Sequence, residues 1–301
     1  MRAALALVVT IAVGGCTRVA PAAATGRRTV RDGLGRPVLV PDRVARVVSL
    51  SPSSTEIVYA LGAGDRVVGL DRYSDWPPET RKVDKVGANL EPSLERIVAL
   101  RPDLVLTATT ANTQATTQAI ERTGIAVFVS KADTLAQIYE DIESIGDAIG
   151  RLPEARVLTR SMRARLEALR ARHAGRRPVR TLLVVWSEPL VVAGRASHLD
   201  DLITAAGGVN IVDDSAIPFP NYSLERVMAR APEALVVGTH AYGSPPLAPL
   251  ERLTTVPAVR DHRVYLIDGD LLFRPGPRVV EGAEALARLL VPEEAHVPPD
   301  R

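Results

Sequence analysis

Aromatic residues make up only 4% of this 301-residue chain, and six of them fall where a binding cleft would use them. Tyr73 and Trp76 lie in the Pro-closed loop Asp71-Arg-Tyr-Ser-Asp-Trp-Pro-Pro78. Trp186 ends an apolar run, Phe219 and Tyr222 lie in Pro218-Phe-Pro-Asn-Tyr222, and Phe273 lies in Asp268-Gly-Asp-Leu-Leu-Phe-Arg-Pro275. The chemistry open to such residues is recognition, because flat rings with a polar handle suit a large and mostly apolar small molecule. Local packing of each ring against its neighbouring prolines is the other reading, and both stand at this level.

Bond-making chemistry finds little support. There is no G-x-S-x-G elbow, no G-x-x-x-x-G-K-[ST] loop, no H-E-x-x-H and no C-x-x-C. Gly62-Ala-Gly64 followed by Gly69 misses the dinucleotide spacing and marks a turn. His173, His198, His240, His262 and His296 are scattered without ligand spacing and read as surface or structural residues. No metal site, no resident cofactor and no enzymatic activity are expected. A net charge of +2 gives no electrostatic footprint for nucleic acid. The ten arginines between Arg151 and Arg180 are interleaved with Leu158, Met162, Leu166 and Leu169, so they read as the solvated faces of a helix with one apolar stripe.

The elements that must position these residues alternate. Val47–Leu50, Val67–Leu70, Asp103–Leu106 and Val127–Val129 read as strands; Ser53 to Gly62, Ser93–Leu100, Ala111–Thr123 and Thr134–Ile149 read as helices, the first opened by a capping box Ser53-Ser-Thr-Glu56. The plan returns with strands at Thr181–Trp186, Leu235–Val237 and Val264–Ile267, and helices at Ser197–Ala206, from Ser223, and at Arg278–Leu290. Short apolar strands separated by helices imply parallel sheets covered on both faces. The fold class is therefore α/β, and the aromatic positions fall at or just past the C-terminal ends of strands, where such sheets bind ligands. Pro153–His173 is a stretch without glycine, about 30 Å long as a helix. It should brace two lobes, and large hinge closure is not expected.

The chain also repeats itself. Ser93-Leu-Glu-Arg-Ile-Val-Ala-Leu-Arg-Pro-Asp-Leu-Val-Leu106 returns as Ser223-Leu-Glu-Arg-Val-Met-Ala-Arg-Ala-Pro-Glu-Ala-Leu-Val236, with six of fourteen columns identical, where average composition gives about one. The repeat places Glu95 and Glu225 at equivalent helix starts. With Ser93 and Ser223 as N-caps, a carboxylate there is favoured by the helix dipole by about 0.3–1 kcal/mol. That alone would account for both acids.

At the other end, Met1-Arg2, the apolar run Ala3–Val13 and Val13-Gly-Gly-Cys16 read as a signal peptide closed by a lipidation site. Cys16 is the only cysteine and has no partner for a disulfide. The expected organisation is a signal peptide over 1–15, a lipidated tether over 16–26, a first α/β lobe over 27–152, a bridging helix over 153–175, a second lobe over 176–293 and a tail over 294–301.

With these features in place, the chain resembles the substrate-binding proteins of ABC importers for vitamin B12, iron-siderophores and haem. The resemblance rests on Arg46-Val-Val-Ser-Leu-Ser-Pro-Ser-Ser-Thr-Glu56, Tyr73-Ser-Asp-Trp-Pro-Pro78, Leu94-Glu-Arg-Ile-Val-Ala-Leu-Arg-Pro-Asp-Leu-Val105 and Leu224-Glu-Arg-Val-Met-Ala-Arg-Ala-Pro232. It covers nearly the whole mature chain and is most similar to the cobalamin-binding members. The family implies two Rossmann-like lobes bridged by one long helix, with Tyr73, Phe219, Asp270 and Arg274 at ligand positions. It implies that Glu95 and Glu225 dock on arginines of a permease dimer that works with ATPase subunits. The implied protein is monomeric, exported and lipid-anchored, facing the periplasm or the cell exterior. A corrinoid is the expected ligand, with a ferric siderophore or haem as the alternative; an enzyme or an adhesion lipoprotein is the reading from another class. Where cobalamin-binding relatives carry a tryptophan before the first Leu-Glu-Arg-Ile, this chain has Gly87-Ala-Asn-Leu90, so one stacking wall is missing or replaced.

Overall fold

The computed structural model describes residues 26–88, 90–111, 113–239 and 247–291. The expected signal peptide, Cys16, nearly all of the tether, His240, His296 and the tail lie outside them. Among the described residues no helix is long and apolar enough to cross a membrane.

A hairpin that sequence patterning does not reveal comes first: β1 (Arg27–Arg31) pairs antiparallel with β2 (Pro37–Pro41). The first lobe then runs β3 (Val47–Ser49), α1 (Pro52–Ala60), β4 (Val67–Leu70), α2 (Leu94–Ala99), β5 (Leu104–Ala108), α3 (Gln114–Glu121), β6 (Ala126–Ser130) and α4 (Leu135–Ala148). Its strands form a parallel sheet in the order β4-β3-β5-β6. After α5 (Leu152–His173), the second lobe runs β7 (Val179–Ser187), β8 (Leu190–Val192), α6 (His198–Ala205), β9 (Gly208–Asn210), α7 (Leu224–Arg230), β10 (Ala234–Thr239), α8 (Ala248–Glu251), α9 (Pro257–Arg260), β11 (Val264–Asp268), α10 (Asp270–Phe273) and α11 (Val279–Leu290). Here β11, β10, β7 and β9 pair in parallel. The exception is β8, which folds back antiparallel on the end of β7 as an edge hairpin.

Local chemistry explains most boundaries. α4 opens with a full capping box, Thr134 accepting from the Gln137 N–H while the Gln137 side chain accepts from that of Thr134. The capping box expected at Ser53 is not formed. α1 starts one residue earlier, at Pro52, without a side-chain cap, because proline is pre-set for the first helical position. Glu56 is thereby free for another task.

The sequence repeat is also a structural one. Ser93 accepts from the Arg96 N–H and Ser223 from the Arg226 N–H. Each helix ends before a proline at a residue forced into the left-handed region, Arg101 (φ 47°) and Ala231 (φ 43°), which costs on the order of 1 kcal/mol outside glycine. Two ties hold each turn. Asp103 accepts from the Ala45 and Arg46 N–H groups, and Glu233 from the Arg180 N–H; Arg46 donates to the Leu100 carbonyl, and Arg180 to that of Arg230.

One apolar core runs through both lobes by way of α5. Ala155, Thr159, Met162, Leu166 and Leu169 form its buried stripe, with Leu158 only at the margin. Gly146 of α4 meets Ala155 so closely that a Cβ on the glycine would lie 2.5 Å from the alanine Cβ. The lobes are joined again where the His198 N–H donates to the Asp133 carbonyl at 2.6 Å, and Arg165 ties α5 to α11 of the second lobe by gripping both oxygens of Glu284. Smaller clusters lie under the outer helices of each lobe.

Candidate ligand site between the lobes

The loop after β4 is held from beneath by a buried hydroxyl network. Asp71 is fully buried; it accepts from the Tyr73 N–H at 3.0 Å and from the Ser74 hydroxyl. Ser74 in turn meets Thr55 of α1 at 2.8 Å, and Thr55 donates to Ser49 at 2.9 Å. Lys85 donates to the Ser74 carbonyl. Burial pushes the Asp71 carboxyl up, opposed by the Ser74 and Tyr73 bonds and the Lys85 charge, and burial pushes the Lys85 amine down. A buried network with every member bonded is rigid, so the loop carrying Tyr73, Asp75 and Trp76 has a set shape.

From the second lobe, α10 and the residues after it reach across to that loop. Arg274 contacts Asp270 of its own lobe at 2.6 Å, and from the first lobe Asp75 at 2.8 Å and Glu56 at 3.2 Å. Arg278 binds Glu56 in a fork, at 2.6 and 2.9 Å, and its guanidinium lies 4.9 Å from the Trp76 ring centroid. The Glu56 side chain is 2% exposed and that of Arg274 9%. Burial pushes the Glu56 carboxyl up, against the pull of Arg278 and Arg274, and burial does the same to Asp270, against Arg274. These five residues form an ionic clasp across the lobe boundary. His198, buried in α6, fixes its base by bonding the Leu272 carbonyl of α10 at 2.7 Å.

Of the residues singled out from sequence, Tyr73, Asp270 and Arg274 come together here, with Trp76 beside them. Trp76 also lines a cavity of about 590 Å³ with Glu56, Tyr59, Pro77, Glu79 and Arg278. Trp186 and Phe219 are exposed and flank the β8 hairpin, since Trp186 pairs with Val191 and the Phe219 segment is bonded to β8 through Pro220 and Tyr222. Phe273 is half-buried over Gly238, where a Cβ would lie 2.2 Å from its ring. Tyr222 departs from expectation: it is buried among Leu190, Val227 and their neighbours in the second lobe's core, with Arg226 at 4.9 Å from its ring centroid. Its position directly before the capped α7 turns it inward. Glu56, Asp75 and Arg278 were missed. Glu56 was hidden by its resemblance to a cap, and nothing local marks a partner more than two hundred positions away.

Glu95 and Glu225 are exposed, each in the first turn of its capped helix, and neither forms an ion pair among the described residues. The Glu225 carboxyl is held low by its own backbone N–H and by Ser223. Val98 and Met228, the equivalent residues one turn on, are exposed apolar side chains.

A family model of periplasmic binding proteins matches residues 47–271. The vitamin B12-binding protein of Yersinia pseudotuberculosis serotype O:3 is 33% identical over 244 residues, covering 81% of this chain and 85% of that protein. Among solved structures, the periplasmic vitamin B12-binding protein of Vibrio cholerae aligns with a TM-score of 0.70 at 27% identity, over 82% of this chain and 96% of that one. The periplasmic haem-binding protein of Roseiflexus sp. RS-1 aligns with a TM-score of 0.72 at 30% identity, over 82% and 98%. Two braced lobes, a clasped loop between them and a family match across both lobes lead to one conclusion: this chain belongs to the periplasmic binding protein family.

Proposed function

We propose that the chain is the extracytoplasmic substrate-binding component of an ABC importer, that it captures a corrinoid between its lobes, and that it delivers the ligand to a permease dimer worked by ATPase subunits. The observation that carries this reading is the Tyr73–Pro78 loop, fixed from below by Asp71 and met from the other lobe by Arg274, which Asp270 holds. Relatives bearing the vitamin B12-binding name support the ligand class. A corrinoid is broad, apolar on its faces and fringed with amides, so the rings of Tyr73, Trp76, Trp186, Phe219 and Phe273 plus a few polar groups suit it. Tyr222 contributes as packing in the core of the second lobe.

Glu95 and Glu225 are assigned to docking, one acid per lobe against one permease subunit each, because they are exposed, unpaired and equivalent. Cys16 is assigned to lipidation, with residues 1–15 as signal peptide and a monomer tethered to the membrane on its outer side.

Haem is the second reading, favoured by the likeness to the Roseiflexus protein and by Tyr73, a half-buried phenol of the type that serves as an axial ligand. The absorbance spectrum of protein incubated with cyanocobalamin, haem or a ferric siderophore and then desalted separates the three. Retained corrinoid bands support the proposal; retained haem bands with no corrinoid overturn its ligand.

A further inference from the structure

Carboxylates outnumber guanidiniums in the clasp. Glu56, Asp75 and Asp270 face Arg274 and Arg278, and Asp268, whose carboxylate accepts from the Asp270 N–H, adds its field on Asp270. The deeper Asp71 is balanced by Lys85. Arg72, on the same loop, is exposed and forms no ion pair among the described residues. Both arginines of the clasp are thus already neutralised, and with Arg72 counted the four acids Glu56, Asp75, Asp268 and Asp270 still exceed the three arginines. The most exposed acid of the clasp, Asp75 with its side chain 56% accessible, lies on the Tyr73 loop itself.

We propose that this clasp is a charge filter: it offers hydrogen-bonding groups to a neutral, amide-fringed ligand and repels the same frame once it carries carboxylates. The inference rests on the cargo reading above and names Asp75 and Asp270 as specificity-determining residues. An anion reader would leave an arginine of the clasp itself unpaired to form a forked pair with carboxylate or phosphate. Here Arg274 has given that capacity to Asp75, Asp270 and Glu56, so an incoming carboxylate would have to displace an acid of the protein.

The test uses two ligand pairs whose main difference is charge: cyanocobalamin with its monocarboxylate, one side-chain amide hydrolysed, and haem dimethyl ester with haem. Affinities are measured by equilibrium dialysis with the wild-type chain, Asp75→Asn, and the double variant Asp75→Asn/Asp270→Asn. The amides keep an acceptor for Arg274 and remove the charge. Screened charges at close range are worth roughly five-fold each in affinity. The wild type is expected to prefer the neutral member of a bound pair by about five-fold or more, Asp75→Asn to reduce that preference, and the double variant to bring it within about two-fold. Added salt should shrink the wild-type preference. Equal discrimination by wild type and both variants, or a wild type that prefers the carboxylate, overturns the filter. Failure of the wild type to bind either corrinoid overturns the cargo reading instead, and the porphyrin pair still reports on the filter.

Discussion

Glu56 joins the lobes through two arginines, and removing it leaves Arg278 without its carboxylate partner, at a place where the Glu56 side chain is 2% exposed, while Arg274 keeps Asp75 and Asp270. Breaking a buried pair from one side costs about 3–5 kcal/mol, so Glu56→Ala should lower the unfolding free energy by about that much in urea titration. Glu56→Gln, which keeps an acceptor, should cost less. A second buried acid sets a pH dependence. Asp141 of α4 has one carboxylate oxygen without a partner, and burial pushes it from 3.8 to about 7, with Asp32 adding repulsion and Ser130 opposing through a hydrogen bond. Asp32 itself is paired with Arg36 at 2.9 Å. A raised acid holds its proton in the fold, so its contribution is fully present below the ordinary carboxylate value and is lost as pH rises through about 7. The unfolding free energy should fall between pH 4 and pH 7, by on the order of 4 kcal/mol at most, and Asp141→Asn should flatten that slope. At this scale the sequence was only partly legible. Asp270 and Arg274 came from the family resemblance alone, and their partners Glu56 and Asp75 belong to the other lobe, where no local pattern records a tertiary ion pair.

Helices and strands were far easier to read, because their causes are local. Ser93 and Ser223 announced capped helices and both caps form; the stretch without glycine became α5, which opens one residue earlier than expected, at Leu152. Elements that escaped notice lack a local signature: the β1–β2 hairpin precedes the α/β pattern, and β8 and β9 are three residues each. Tyr222 shows the limit of the loop argument, since its neighbour Phe219 is exposed while it packs inward. Removing either N-cap hydroxyl, Ser93→Ala or Ser223→Ala, should cost about 1 kcal/mol, measurable as a shift in urea midpoint at unchanged slope. Leu166→Ala, in the fully buried stripe of α5, should cost about 2–5 kcal/mol and loosen the packing of both lobes together, because one core passes through that helix.

For the molecule as a whole, a continuous core, the Asp133–His198 bond and the ionic clasp hold the lobes at three separate places. Ligand capture should therefore proceed with little change in overall shape, and the radius of gyration by small-angle scattering should be nearly the same with and without ligand. Docking separates from capture: Glu95→Arg/Glu225→Arg should abolish uptake in cells while leaving ligand affinity intact, and uptake that survives the double reversal contradicts the docking assignment. The central claim is that the clasped cleft takes a corrinoid. Thermal and urea stability measured with cyanocobalamin at 100 times its Kd tests it most directly, since one-site binding to the folded state adds about 2.7 kcal/mol. A saturable gain of that size, reduced in Arg274→Ala, is the expected result; no stabilisation by cyanocobalamin at any concentration, alongside a clear gain with haem, would contradict it.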